Sequence, residues 1–300
     1  MSGFQDSYKI SLLIPCYNQE KHIRSVVEAV LSQTRQVDEI IVLDDHSQDD
    51  SVAILRNLPV QLICNKQNQG PTIARNKLFS ASSGDILVFI DSDAYADPQM
   101  VESMLSAYQL PSSRPVAGVG GRGIETQLAS MYDHWRNAHA RQDFGLKAHD
   151  DVPYLYGLCM SFHRDALLDV NGFDPFFPIN AGEDLDLGYR LRRRGYILRY
   201  TPEAIVYHQH QDDEASLKRV QYNWYYWSYL AKRRNQYPTW YLYAGIVRRL
   251  FRETLTDMLL QRNFQLVKLD IEIFAIRVQA LIQAAKVPAI RSRQNASKKY

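Results

Sequence analysis

Cysteine is scarce in this chain of 300 residues: there are three, Cys16, Cys64 and Cys159, with no CxxC pair and no Cys/His spacing of the zinc-binding kind. An odd, scattered set argues against a disulfide framework and fits a reducing compartment such as the cytoplasm. No stretch of about 18 apolar residues occurs, so no membrane-spanning helix is expected. Met1 to Lys9 is polar, so no signal peptide is expected there. Internal repeats and low-complexity segments are missing too. What remains is an ordinary globular composition, 46% hydrophobic and 23% charged. The length suits one large domain, or one domain with an appendage.

The net charge of +2 conceals an asymmetry. Residues 215–300 hold 16 Lys and Arg against 4 Asp and Glu, which leaves 19 basic and 29 acidic residues for 1–214. A split of that size points to a basic surface that meets something anionic, such as a membrane face, a lipid phosphate or an acidic polymer. Nucleic acid is excluded as a partner because the rest of the chain is acidic.

Apolar runs and helical periodicities alternate through the first part of the chain. Residues 9–14, 40–43, 60–64, 86–90 and 116–119 read as buried strands. Between them, 19–33, a short segment ending at Leu58, 72–82 and a helix from Asp97-Pro98 to about Gln109 read as helical. Farther on, 124–140 and 183–194 read as helices, and 154–162, 196–200 and 204–207 as strands. This alternation predicts an α/β fold with a mostly parallel sheet covered on both faces. Ligands in such sheets sit beyond the carboxyl ends of the strands. Those ends are Pro15 to Asn18, Asp44-Asp45 and Asp91-Ser92-Asp93, so one edge of the sheet is acidic.

Asp91 and Asp93 repel one another unless a cation stands beside them, and hard carboxylate oxygens suit Mg²⁺ or Mn²⁺. A solvated turn is the other reading of the same triplet. Glu183 and Asp184 open a helix, whose N-terminal dipole favours ionised carboxylates at neutral pH; simple capping is the plainer reading. His208 follows a strand and could complete a metal site as a neutral imidazole, with His210 a weaker candidate. Gly118 to Gly123 (GVGGRG) fits G-x-G-x-x-G. It follows four strands instead of opening the first unit, and no acid-ended strand comes about 20 residues later, so dinucleotide binding is rejected.

Taken together, these segments resemble the family 2 glycosyltransferases of the GT-A fold, a Rossmann-like architecture. The resemblance is carried by SLLIPCYN (11–18), VLDDHSQD (42–49), NQGPTIARN (68–76), GDILVFIDSD (84–93), GFD (172–174), GEDLDLGYRLRRRG (182–195) and VYH (206–208). It covers roughly 9–210 and implies a GT-A catalytic domain over 1–214. The remainder, 215–300, reads as a helical, basic and aromatic C-terminal extension.

The resemblance implies a hexosyltransferase-like enzyme that moves a sugar from a nucleotide-sugar donor, a UDP-sugar first, to a hydroxyl acceptor with inversion. Mn²⁺ or Mg²⁺ would assist, and the acceptor would be a glycan, a lipid-linked sugar or another hydroxyl. Pro15 and Tyr17 would pack on the base, with a core aromatic as the other reading of Tyr17. Asp45, or Asp44, would accept from the uracil imide. Glu20, Gly70 and Ser92 would lie on the donor side, and Arg75 would face the diphosphate. Asp93 would ligate the metal with His208, while Asp91 would contact the ribose or share the metal. Asp184 would be the general base, with Glu183 and Gly157 on the acceptor side and Asp186 supporting the helix or the acceptor pocket. The sequence departs from the family at His46, where glycine is common.

Two other functional classes fit parts of the pattern. A catalytically silent sugar-nucleotide or glycan-binding partner of another transferase would not need Asp184 and Asp93. A nucleotidyltransferase would carry a Gly-rich basic loop after the first strand, and Pro15 to Glu20 is not one. Residues 222–252 interleave aromatics such as Trp224, Trp227, Trp240 and Tyr243 with Lys232, Arg233, Arg248 and Arg252. Peripheral contact with the inner face of a membrane, core packing and a dimer interface all remain open for this segment.

Overall fold

A computed structural model describes residues 8–259 and 262–288. The polar start of the chain before Tyr8 and the basic end after Pro288 lie outside the described residues. The first elements are β1 (Ile10–Cys16), α1 (Ile23–Leu31), β2 (Glu39–Asp44), α2 (Ser51–Leu55), β3 (Gln61–Cys64), α3 (Pro71–Ala81), β4 (Ile86–Ile90), β5 (Ala94–Ala96) and α4 (Met100–Gln109). They continue as β6 (Val116–Glu125), α5 (Met131–His139), β7 (Cys159–His163), α6 (Arg164–Asp169), α7 (Glu183–Arg193) and β8 (Ile197–His208). Three helices follow: α8 (Glu214–Arg234), α9 (Trp240–Leu259) and α10 (Phe264–Lys286).

The eight strands form one sheet in the order β3-β2-β1-β4-β7-β6-β8-β5. Strands β1 to β4 are parallel, as the βα alternation requires. Beyond β4 the sheet is mixed: β7 runs antiparallel to both β4 and β6, β6 and β8 are parallel, and β5 is antiparallel to β8. Alternate side chains of β1 feed two cores. Leu12 and Ile14 pack with Val26, Val27 and Met104 on one face, and Leu13 packs with Leu78, Phe89 and Phe173 on the other.

Several boundaries differ from the sequence expectation. The glycine-rich run is strand, not loop, and extends β6 to Glu125. A Cβ at Gly118 would lie 2.5 Å from the Ser161 carbonyl oxygen, and one at Gly121 would lie 2.2 Å from that of Ala204. These glycines serve close strand packing. Residues 196–200 and 204–207 are one strand, β8, with Pro202 inside it. The helix expected over 124–140 shrinks to α5, whose start is fixed by a capping box between Ser130 and Asp133.

The division of the chain also differs from a boundary at 214. Among the described residues, those within 1–126 and 142–210 form one compact unit, and those within 127–141 and 211–300 the other. The physical reason is α5. Its Trp135 is fully buried with Leu217, Leu266, Leu269 and Ile273 of the C-terminal helices.

That second unit has a polar interior. Arg277 forms a bidentate pair with Glu253 at 2.7 and 3.2 Å and donates to Gln221. Its guanidinium also lies over the Trp135 and Tyr225 rings. His139 pairs with Asp257 at 2.8 Å, and Trp135 Nε1 donates to Asp270 at 2.7 Å. Asp257 and Asp270 each keep one buried oxygen without a partner. Burial pushes both carboxyl groups up to about 6.

A folded-state pKa above the ordinary value means the native state binds the extra proton. Stability from this pair is therefore present at low pH and lost as pH rises through about 6. Asp270→Asn keeps an acceptor for Trp135 and removes one buried charge. It should raise the melting temperature by a few degrees at about pH 7.5, with the gain shrinking toward about pH 5. Thermal unfolding of both proteins at the two pH values checks this. A drop at the higher pH would mean that the two carboxylates are held ionised.

Candidate active site

The acidic triplet is a tight turn between β4 and β5, closed by the Ala94 N–H donating to the Asp91 carbonyl. Strand register then assembles the site. The β5–β8 pairing sets Ala94 opposite His208, and the β6–β8 pairing sets Glu125 opposite His208. Asp93, His208 and Glu125 meet at the ends of three strands distant in sequence.

His208 is buried, with Nδ1 at 3.0 to 3.1 Å from both Glu125 oxygens and Nε2 at 3.6 Å from Asp93 Oδ1. His210 stacks on it, ring to ring at 5.4 Å. Burial opposes a charge on His208, but Asp93 and Glu125 outweigh it and push its pKa up to about 10. Burial would raise Asp93 as well, yet His208 holds it below the ordinary carboxylate range.

One oxygen of Asp93 and one nitrogen each of His208 and His210 all lie within 4.8 Å of one another. A single divalent cation fits this set, and Glu125 orients His208 from behind, as carboxylates behind metal-bound histidines do. Carboxylate and imidazole are both donors that a divalent cation accepts. Asp91 is not part of the cluster. Burial and the neighbouring Asp93 raise its pKa, and its Oδ1 accepts from Arg75 at 3.1 Å.

Arg75, on α3, is 1% exposed. Nη2 reaches Asp91, and Nη1 donates to Glu183 at 2.9 Å and to Asn180 at 3.1 Å. Its forked donors therefore engage carboxylates from two elements, where the sequence suggested a diphosphate. A Cβ on Gly157 would come within 3.0 Å of Nη2, so Gly157 lets the loop before β7 pass close to the guanidinium. Arg75 thus gathers Asp91, Glu183 and Gly157 at one point.

Glu183 and Asp184 open α7 after Gly182, which has φ +82°. Burial holds both above the usual carboxylate range, helped by the charge of Asp184 at Glu183 and that of Asp91 at Asp184, with Arg75 acting against the shift in each. The direction of both shifts is opposite to the one the helix dipole alone would give, because burial outweighs it. Asp184 is pushed up to about 6. Asp186 is structural: it pairs with Arg190 at 2.7 Å, and Arg190 in turn donates to the carbonyls of Val170 and Gly172.

The strand-end loops are knitted together. Asp45 accepts from the Gln69 and Gly70 N–H groups and from Asn65 Nδ2. It fixes the loop that leads into α3. Asp44 accepts from the His46 and Ser47 N–H groups, and its other oxygen is buried without a partner. His46 does adopt φ +72°, the conformation for which glycine is common. The Glu20 carboxylate accepts from the Asp50 N–H and braces this rim. Tyr17 stands on the rim next to Pro15 and is 45% exposed, which excludes the core-aromatic reading. Ser92 is buried within the triplet turn. Gly70, at φ +84°, would set a Cβ 2.5 Å from the Pro178 carbonyl oxygen.

Sequence reasoning missed Glu125 and underrated His210. The signal for Glu125 was faint: an acid ending a strand disguised by glycines.

A proton-accepting Asp184 must be ionised, so activity should fall as pH drops through about 6. A kcat/KM profile against pH checks this, and a rate flat down to about pH 5 would remove Asp184 from that role.

Residues 11–170 match the family described as glycosyl transferase family 2. The glucosyl-dolichyl phosphate glucuronosyltransferase of Haloferax volcanii is 25% identical over 246 residues, covering 75% of this chain and 76% of the relative. Among solved structures, a mannosyltransferase from Pyrobaculum calidifontis in complex with GDP-Man and Mn²⁺ aligns at TM-score 0.56 and 17% identity, over 94% of this chain and 76% of that one. The glucosyl-3-phosphoglycerate synthase of Mycobacterium tuberculosis, in complex with Mn²⁺, UDP and glucosyl-3-phosphoglycerate, aligns at TM-score 0.56 and 19% identity, over 78% and 82%. At these identities the structural likeness establishes a GT-A fold.

Proposed function

The chain belongs to glycosyl transferase family 2, and we propose that it transfers a sugar, with inversion, from a nucleoside diphosphate sugar to an acceptor hydroxyl. The observation that carries the reading is the span of Arg75. It holds both Asp91 of the acidic turn and Glu183, the neighbour of Asp184, from one buried guanidinium.

In this reading Asp93, His208 and His210 hold a divalent cation, which when bound neutralises the diphosphate leaving group. Tyr17 offers an exposed aromatic face to the base. Asp184 takes the acceptor proton at its carboxylate, and its raised pKa suits a group that must both hold and release a proton near neutrality. A base that activates the acceptor hydroxyl for direct attack implies single displacement. Arg75 positions rather than reacts, since its fork is already engaged by carboxylates. UDP is the first nucleotide to test, with GDP second, because both appear in complexes of structural neighbours. The lipid phosphate in the name of the Haloferax relative supports a lipid-linked hydroxyl as acceptor.

A silent binding partner or a nucleotidyltransferase would behave differently in one assay. With UDP- or GDP-sugars, Mn²⁺ and candidate acceptors, the protein should release nucleoside diphosphate and no pyrophosphate. Asp184→Asn should lower kcat by about 10²–10⁴ while sparing donor affinity. Asp93→Asn should weaken joint binding of UDP and Mn²⁺ in calorimetry. No release with any donor, together with no UDP–Mn²⁺ binding, would refute the proposal.

A further inference from the structure

Helix α9 is turned inside out. Its buried side carries Ile246, Glu253 and Asp257. Glu253 is paired with Arg277 and Asp257 with His139. Its exposed side carries Trp240, Tyr243, Val247, Phe251, Leu255 and Met258, with Trp240 and Phe251 each 72% exposed. These six recur at intervals of three or four residues, so they form one apolar stripe along the helix. A water-facing stripe of that length marks an interaction surface.

The charge beside the stripe selects its occupant. Arg248 and Arg252 each follow a stripe residue by one position, so both border the same flank. With Arg249, Tyr225 and Tyr241 they line a groove within the second unit. A second copy of the chain would bring its own basic unit to this face, like charge against like. An anionic bilayer offers the complement of both features, an apolar depth for the stripe and lipid phosphates for the arginines. Among the described residues no helix is long and apolar enough to cross a membrane, so α9 would lie along the surface.

We propose that α9 is an in-plane anchor that seats this chain on an anionic lipid bilayer. Trp240, Phe251 and Leu255 enter the interfacial region, and Arg248 and Arg252 pair with lipid phosphates. The inference does not depend on the reaction the active site performs.

Sedimentation with vesicles of phosphatidylcholine, with and without phosphatidylglycerol, tests it, and free inorganic phosphate serves as a competitor. The full chain should bind phosphatidylglycerol vesicles at least about tenfold more tightly than neutral ones, and salt should weaken that binding. Inorganic phosphate at matched ionic strength should not displace it. The double variant Phe251→Glu/Leu255→Glu should lose binding, and Arg248→Glu/Arg252→Glu should lose the preference for anionic lipid. All four side chains are on the exposed side of α9, so circular dichroism and melting should stay unchanged. Absence of vesicle binding, or binding that survives Phe251→Glu/Leu255→Glu, overturns the proposal. So does a dimer in light scattering that this variant splits, because the stripe would then pair copies.

Discussion

A guanidinium sealed from water must be neutralised where it lies, and Arg75 imposes that condition on the catalytic unit. It is held by Asp91 at the end of β4 and by Glu183 at the start of α7. Removing either carboxylate would strand part of a buried charge, which typically costs about 3–5 kcal/mol. The turn that carries the acidic triplet and the helix that carries Asp184 are thereby located relative to each other by a single side chain. The raised pKa of Asp184 follows from the same enclosure, since desolvation that makes Arg75 demand partners also makes a neighbouring carboxylate reluctant to ionise.

The cluster of Asp93, His208 and Glu125 rests on a different constraint, strand register. Asp93, Glu125 and His208 converge because β5 and β6 both pair with β8. A slip of one residue in either pairing would send His208 or its partner to the opposite face. The glycines of β6 belong to this account. They permit the backbone of β6 to approach Ser161 and Ala204 closely enough for Glu125 to arrive at the correct end.

What could be read from the chain alone depended on range. The strand-end acids, the helix opened by Glu183 and the alternation of β1 through β4 are local patterns, and they were legible. The partners of Arg75 were not legible, since they lie 16 and 108 residues away along the chain. Nor was the bracing role of Asp45, which depends on where the Gln69–Gly70 backbone passes. The aromatic, basic segment was ambiguous for a physical reason: helical spacing alone does not say which face of α9 is covered. The buried pairs of Glu253 and Asp257, together with Ile246, orient that helix.

Among the described residues, the second unit draws on two separated stretches, within 127–141 and within 211–300. Translation proceeds in one direction, so α5 emerges early and must wait for its partners. Trp135 lacks Asp270, and His139 lacks Asp257, until α9 and α10 have been made. The sheet unit has all its segments once His210 is synthesised. A nascent chain would therefore carry a completed sheet and an open bundle. Loss of the last helix, by nonsense mutation or proteolysis, would uncover a tryptophan in the middle of the sequence instead of merely shortening the molecule.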